Sequence, residues 1–274
     1  MTRQPDRYAV IGQPVSHSRS PFIHSKFAEA TGQSLQYDRI EASPEDFADI
    51  VRAFFAEGGR GLNVTVPHKE SAAALCDELS ERAALAGAVN TVIPLADGRL
   101  RGDNTDGVGL VTDLEQNLGI TIEGRRILIL GAGGATRGVI APLLARAPAS
   151  LLIVNRTAAR AEELAARFAS RGAIEGGGLE RLNSTTPFDL IINATSAGLN
   201  GESVNLPSTC VSADTVGYDM LYQANGTPFS RQMQALGAHA TWLGHGMLVE
   251  QAAESFFLWR GVRPPTTDVL TLVR

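Results

Sequence analysis

Short apolar runs alternate along this chain with apolar stripes at helical spacing, and glycine or proline marks most of the changes. Tyr8 to Ile11 reads as a first strand, stopped by Gly12 and Pro14. Ser20 followed by Pro21 predicts a helix start, with the serine as N-cap and proline at the first helical position; Gly32 predicts its stop after about Thr31. Leu35 to Ile40 is strand-like, and Pro44 to Glu57 is helical with Phe47, Ile50, Val51, Phe54 and Phe55 on one side. Gly61 to Val66 forms another strand, cut off by Pro67, and Lys69 opens a helical region reaching about Ala86. Val89 to Pro94 and a segment from Leu100 read as strands joined by a turn at Asp97-Gly98.

The run GDNTDG (102–107) breaks this rhythm, and a change of domain is expected there. Asp106 is predicted to cap a helix carrying Val108, Leu110, Val111, Leu114 and Leu118. Ile127 to Leu130 is then a run suited to a strand buried on both faces of a parallel sheet. It stops at Gly131, with Gly133 and Gly134 following, and Ala135, Val139, Ile140, Leu143 and Leu144 recur at helical spacing. Further strands are predicted at Leu151–Val154, Phe188–Ala194, Thr215–Asp219 and Ala240–Leu243, and helices at Ala158–Phe168, Pro228–Leu236 and Met247–Arg260. The glycines at 176–178 suggest a loose turn. Strands alternating with helices predict an α/β architecture with a mainly parallel sheet.

Composition narrows the classes. A length of 274 residues suggests two domains, and 44% hydrophobic with 19% charged residues is ordinary for a globular protein. A net charge of −5 without a basic block argues against nucleic acid as a partner, so an anionic ligand must be held by local groups. Cys76 and Cys210 lie far apart in no paired motif, which predicts a reducing compartment and neither a disulfide framework nor a metal site. The N-terminal stretch has only a brief apolar run, and no stretch approaches the ~20 apolar residues that span a bilayer. A cytoplasmic protein with no membrane association is expected.

Strand, glycine turn and helix in that order make a phosphate-binding element, because bare backbone admits a pyrophosphate and the N–H groups of the helix start attract it. The third glycine of G-x-G-x-x-G falls at Thr136, so the fingerprint is imperfect. The next strand ends in NRTAAR, with Asn155, Arg156, Thr157 and Arg160 and no carboxylate before Glu162. A carboxylate there selects NAD, whereas arginine accommodates the 2′-phosphate of NADP, so NADP is expected; Thr157 can also cap the following helix. Two polar clusters in the first half are not required by the fold. One is His17, Ser18, Arg19 and Ser20 at a helix start, able to hold a small carboxylate. The other is NVTVPHK, which puts Thr65 and Lys69 at or just beyond a strand end, where ligands of open α/β sheets lie. Lys69 and Asp106, if they face each other, can move a proton at a reacting oxygen.

Nine stretches resemble the shikimate dehydrogenases in that family's order and spacing: GQPVSHSRSPFIH (12–24), NVTVPHK (63–69), GAVNT (87–91), GDNTDG (102–107), GAGGATR (131–137), NRTAAR (155–160), NATSAG (193–198), YDMLY (218–222) and GMLVEQA (246–252). The resemblance implies NADPH-dependent, reversible reduction of 3-dehydroshikimate to shikimate, on the route to chorismate and the aromatic amino acids. It implies two domains with the active-site cleft between them: a substrate domain of residues 1–104 and 245–274, and a Rossmann-type, doubly wound NADP domain of residues 105–244. Lys69 and Asp106 match the catalytic pair. Ser18 and Ser20 match the hydroxyls that bind the carboxylate, and Thr65, Asn90, Tyr222 and Gln251 match further substrate contacts. Gly131, Ala132, Gly133, Gly134 and Ala135 match the pyrophosphate loop, Asn155, Arg156, Thr157 and Arg160 the 2′-phosphate reader, and Met220 and Gly244 the nicotinamide side. No metal is implied, and a monomer or homodimer is expected. Two positions depart from the family's usual residues: Leu243 where aspartate is common, and His68 where phenylalanine is common. The rival readings are a quinate/shikimate dehydrogenase of broader cofactor use and a non-catalytic NADP- or shikimate-binding regulatory module.

Overall fold

The computed structural model describes residues 4–223 and 225–273. The chain divides into two compact units: one runs to Gly109 and resumes from Leu248 to Val273, the other is Leu110–Met247. Among the described residues no helix is long and apolar enough to cross a membrane.

The sheet of the first unit contains β1 (Asp6–Gly12), β2 (Leu35–Glu41), β3 (Gly61–Val64), β4 (Glu78–Leu79), β5 (Thr91–Pro94) and β6 (Leu100–Asp103), in the order β2-β1-β3-β5-β6-β4. Only β5 runs against its neighbours, so the sheet is mainly parallel as expected. Its helices are α1 (Ser20–Thr31), α2 (Phe47–Ala56), α3 (Lys69–Leu75) and α4 (Glu81–Ala86). The helical region expected from Lys69 to Ala86 is therefore two helices, parted where Glu78 and Leu79 pair with β6. The strand from Gly61 stops at Val64, short of the expected Val66. α1 ends as predicted, with Gly32 at a φ of +63°, but Ser20 is its first helical residue and Arg19 holds the N-cap position. The Arg19 side chain makes no cap bond to α1, and the N–H of Ser20 itself donates to Ser18 Oγ at 3.3 Å.

α5 (Asp106–Thr112) carries the chain out of the first unit and continues as a π-helical turn over Asp113–Asn117. Asp106 opens α5, and its N–H donates to Asn104 Oδ1 at 3.2 Å; Asn104, not Asp106, therefore satisfies the helix start. The second unit is a doubly wound parallel sheet of β7 (Arg126–Leu130), β8 (Ser150–Val154), β9 (Ile174–Gly177), β10 (Leu190–Asn193), β11 (Val216–Asp219) and β12 (Ala240–Leu243). Its order is β12-β11-β10-β7-β8-β9, the Rossmann arrangement, with every pairing parallel. Ile127 to Leu130 are fully buried in its centre, which is why that run is apolar without alternation. α6 (Gly134–Leu144), α7 (Ala158–Phe168) and α8 (Pro228–Ala235) cover it. The glycines at 176–178 are not a loose turn: Gly176 and Gly177 end β9, and a Cβ at Gly176 would collide with the Ala161 carbonyl of α7. The glycine lets helix and strand touch.

α9 (His245–Arg260) passes back from the second unit to the first, and α10 (Thr267–Val273), which was not anticipated, follows. Ile23 and Phe27 of α1 pack with Val249, Ala252, Ala253 and Phe256 of α9 and with Val269, Leu270 and Val273 of α10. His24 is fully buried in this layer, stacked on Tyr37 with ring centroids 4.3 Å apart. Neither of its ring nitrogens has a hydrogen-bond partner among the described residues, and burial pushes its pKa down from 6.5 to about 3.

Two outcomes follow from this packing. Gly176→Ala should lower the melting temperature by several degrees, because overpacking of this kind costs about 1–3 kcal/mol; an unchanged melt would contradict the close approach of α7 and β9. His24 binds its proton in the unfolded chain before it does in the folded one, so its contribution to stability is present above pH 6.5 and is lost as pH falls toward 3. His24→Phe removes that titration. In urea unfolding the variant should gain about 2 kcal/mol on the parent between pH 6.5 and pH 4.5, whereas a constant difference would exclude a neutral, buried His24.

Candidate active site

Lys69 is the first residue of α3, four positions beyond Thr65, which directly follows β3, and Val89 N–H donates to its carbonyl at 2.8 Å. That short path from a buried strand leaves the Lys69 side chain only 15% exposed, with its Nζ 2.5 Å from Asp106 Oδ2; the Asp106 side chain is 6% exposed. An ion pair so removed from water must have its remaining polar atoms satisfied, because desolvation of each ion costs several kcal/mol. Asn90 Nδ2 donates to Asp106 Oδ1 at 2.8 Å, so both carboxylate oxygens are engaged. The ammonium has three N–H groups and, among the described residues, gives one to Asp106.

Asn90 is itself held. Its Oδ1 accepts from the Thr105 N–H at 2.8 Å and from Thr91 Oγ1 at 2.9 Å, while its Nδ2 also approaches Thr105 Oγ1 at 2.9 Å and Gln251 Oε1 at 3.3 Å. Behind it Thr91 Oγ1 meets Ser255 Oγ at 2.8 Å, and Asn63 Nδ2 donates to the Asn90 carbonyl at 3.1 Å and to Ser255 Oγ at 3.1 Å. Tyr37 closes the column by donating to Asn63 Oδ1 at 2.7 Å. The loop that carries Asp106 is fixed from the other side. Asp103 Oδ1 accepts from Arg82 Nε at 2.5 Å and from the Asn104 N–H at 2.7 Å, and Arg82 also reaches Glu254 at 3.1 Å.

Ser18 and Ser20 lie together before and at the start of α1, both buried, with Ser18 Oγ donating to Ser20 Oγ at 3.1 Å. His68 is packed as an aromatic residue: it stacks on Phe47 with centroids 4.6 Å apart, and its Nε2 lies 2.8 Å from the Ala42 carbonyl.

In the second unit Gly131 ends β7 at a φ of +101°, and a Cβ there would lie 3.1 Å from Thr195 Cγ2 and 3.4 Å from the Ala194 carbonyl. This is the switch point of the sheet, where β8 and β10 leave β7 on opposite sides. Gly133 is the N-cap of α6, and a Cβ there would meet nothing within 4 Å, so that position of the turn is open. Thr136 takes the place of the third glycine without obstructing the turn, because its buried Oγ1 folds back to donate to the Gly131 carbonyl at 2.8 Å. After β8, Asn155 Nδ2 donates to the Thr157 carbonyl at 3.0 Å; Thr157 is the N-cap of α7, although its side chain makes no cap bond. Arg156 and Arg160 are exposed beside it. An open glycine cradle at a helix N-terminus, with guanidinium groups and no carboxylate at the end of the next strand, fits a dinucleotide that carries an extra phosphate. Met220 and Gly244 are brought together, since a Cβ at Gly244 would collide with the Met220 carbonyl. The buried Asp219 carboxylate, its pKa pushed up by burial, anchors that segment by accepting from Asn193 Nδ2, the Leu221 N–H and Thr227 Oγ1.

Lys69, Asp106, Asn90 and Gln251 thus form one hydrogen-bonded cluster, Ser18 and Ser20 another, and Thr65 lies on the connection that leads to Lys69. Tyr222 belongs to the second unit, where its ring is 5.5 Å from that of His245. Asn63, Thr91, Asn104 and Thr105 were not singled out from the sequence, although each lies inside a stretch marked there. Ser255 had a signal as well: it stands one helical turn after Gln251 and therefore on the same face of α9.

Comparison with known proteins identifies the family. The family model for the shikimate dehydrogenase substrate binding domain matches residues 10–92, that for shikimate / quinate 5-dehydrogenase matches residues 113–200, and that for the shikimate 5'-dehydrogenase C-terminal domain matches residues 244–274. The shikimate dehydrogenase (NADP(+)) of Aeromonas hydrophila is 56% identical over 97% of this chain and 96% of its own length. The enzyme of the same name from Chromohalobacter salexigens is 56% identical over 98% of each. A solved structure of shikimate 5-dehydrogenase from Thermus thermophilus, in complex with NADP(H) and shikimate, superposes with a TM-score of 0.85 at 34% identity, covering 98% of both chains. On these grounds the chain belongs to the shikimate dehydrogenase family.

Proposed function

We propose that this chain catalyses the reversible, NADPH-dependent reduction of 3-dehydroshikimate to shikimate, with Lys69 and Asp106 managing the proton at the reacting oxygen. The observation that carries the reading is the 2.5 Å contact between Lys69 Nζ and Asp106 Oδ2, locked by Asn90 on the far carboxylate oxygen. The names of the relatives from Aeromonas and Chromohalobacter, and the NADP(H) and shikimate held by the Thermus enzyme, support the substrate and cofactor. A cytoplasmic location accords with the biosynthetic role.

In this reading the first unit is the substrate domain. Ser18 and Ser20 bind the substrate carboxylate, and Thr65, Asn90, Gln251 and Tyr222 are further substrate contacts. The second unit holds NADP: Gly131 to Ala135 receive the pyrophosphate, Asn155 to Arg160 the 2′-phosphate, and Met220 and Gly244 flank the nicotinamide. Bound NADPH supplies the hydride. Lys69 turns one of its N–H groups toward the ketone oxygen, and its positive charge stabilises the negative charge that grows there as the carbonyl is reduced. The proton then passes from Nζ to that oxygen, leaving a neutral amine beside the Asp106 carboxylate. In the reverse direction the neutral amine takes the hydroxyl proton back. Asp106 keeps Nζ at a fixed point, and holding the reactants in one geometry accounts for much of an enzyme's acceleration.

The direct test is nicotinamide absorbance at ~340 nm after mixing the protein with shikimate and NADP. The parent should reduce NADP, and Lys69→Ala should do so with kcat lower by about 10²–10⁴-fold, the usual contribution of an acid–base group. No absorbance change in the parent at high protein concentration would leave a binding module, and near-parental turnover in the variant would remove Lys69 from its role. For the cofactor, Arg156→Ala should raise KM for NADP by about tenfold or more while leaving that for NAD nearly unchanged. Equal effects on both would overturn the assignment of the 2′-phosphate.

A further inference from the structure

Arg39 has no place in the reading so far. It lies on β2, the edge strand of the first unit's sheet, two residues beyond Tyr37 and so on the same strand face. Tyr37 reaches from that face into the polar column through Asn63, whereas Arg39 reaches the serine loop. Its Nε and Nη2 both donate to the Ser18 carbonyl, at 3.0 and 2.6 Å. A guanidinium fork closed on one carbonyl is a costly use of a long, exposed side chain unless that carbonyl has to be held.

Ser18 is the pivot of the loop. Its N–H donates to the Val15 carbonyl at 3.0 Å, and its Oγ both accepts from the Ser20 N–H at 3.3 Å and donates to Ser20 Oγ at 3.1 Å. Rotation of the Ser18 peptide would therefore carry both hydroxyls out of place together. Among the described residues no carboxylate pairs with Arg39, so its charge is left for whatever anion the hydroxyls receive. Neutral hydroxyls orient a carboxylate but do not balance its charge; a guanidinium bonded to the same loop from β2 does.

We infer that Arg39 is a positioning residue for the substrate carboxylate: it fixes the Ser18 carbonyl, and through it both serine hydroxyls, while placing an unpaired positive charge beside them. The inference rests on the reading of Ser18 and Ser20 as the carboxylate site. Asp106 and Lys69 belong to a different cluster, so Arg39 should act on binding and leave the chemical step alone.

The experiment is steady-state shikimate oxidation with NADP by the parent, Arg39→Met, Arg39→Lys, Ser18→Ala and the double variant Ser18→Ala/Arg39→Met, each at low and high salt. Arg39→Met should raise KM for shikimate by about tenfold, with kcat within about threefold and KM for NADP unchanged. Arg39→Lys, which keeps the charge and loses the fork, should recover part of that loss. Added salt should raise KM for shikimate more in the parent than in Arg39→Met. Because Arg39 acts through Ser18, the double variant should raise KM by well under the product of the two single effects. An unchanged KM in Arg39→Met, fully multiplicative effects in the double variant, or a parallel loss of kcat and of both KM values with a lowered melting temperature would each overturn the inference. A parent that does not reduce NADP with shikimate would overturn the proposed function instead.

Discussion

The constraint on which the first unit turns is the need to keep two opposite charges, Lys69 and Asp106, in contact and largely out of water. Such a pair is stable only when geometry is good and no polar atom is left over. Asn90 meets the second carboxylate oxygen, which obliges Asn90 to be held, which in turn recruits Thr105, Thr91, Asn63, Ser255 and Tyr37. The one antiparallel strand of the sheet has its reason here. Running β5 against β3 and β6 places Thr91 opposite both Asn63 and Asp103, so the strand that follows Asn90 is stitched to the two segments that position the ion pair. Arg82 extends the same logic outward by joining Asp103 to Glu254 of α9, and Arg263 closes on Glu254 in turn.

The second unit handles negative charge by other means. Its candidate cofactor groups are mostly backbone: the glycine turn after β7, the first turn of α6 and the end of β8. Glycines are spent where chain segments or a ligand must come close. Gly131 clears Ala194 and Thr195 at the switch point, Gly176 admits α7 against β9, and Gly244 admits the Met220 carbonyl. In each case the side chain that is missing matters more than any that is present.

Much of this was legible because local chemistry and tertiary role coincide. Continuous apolar runs marked the central strands, Gly32 marked the end of α1, and the motif residues Lys69, Asp106, Asn90 and Gln251 are hydrogen-bonded in one cluster. Three of the misreadings share one cause. Ser20 followed by proline, the glycines at 176–178 and Asp106 before an apolar stripe are all strong local signals for caps and turns. Ser18 and Asn104 accept the first helical N–H groups of α1 and α5 because each stands two residues earlier with a side chain that folds forward, and β9 keeps Gly176 because α7 lies on it. Asn63 and Ser255 are 192 positions apart, and only the folded sheet and α9 bring them to 3.1 Å.

The proposed reaction divides its labour along the same lines as the structure. In that proposal a carboxylate remote from the reacting carbon is the same group in substrate and product, so Ser18 and Ser20 would bind both alike, which sets occupancy more than the barrier to chemistry. The charge on the reacting oxygen is different, because it exists only while the hydride is in transit, and only a donor aimed at that oxygen can favour the transition state over both ends of the path. A flexible lysine on the surface would lose that advantage to water and to its own rotamers. The buried asparagine column holds Asp106, Asp106 holds Nζ, and the ordering cost is met during folding and is not repeated at each turnover. That is why so much of the polar core of the first unit stands behind one ammonium group.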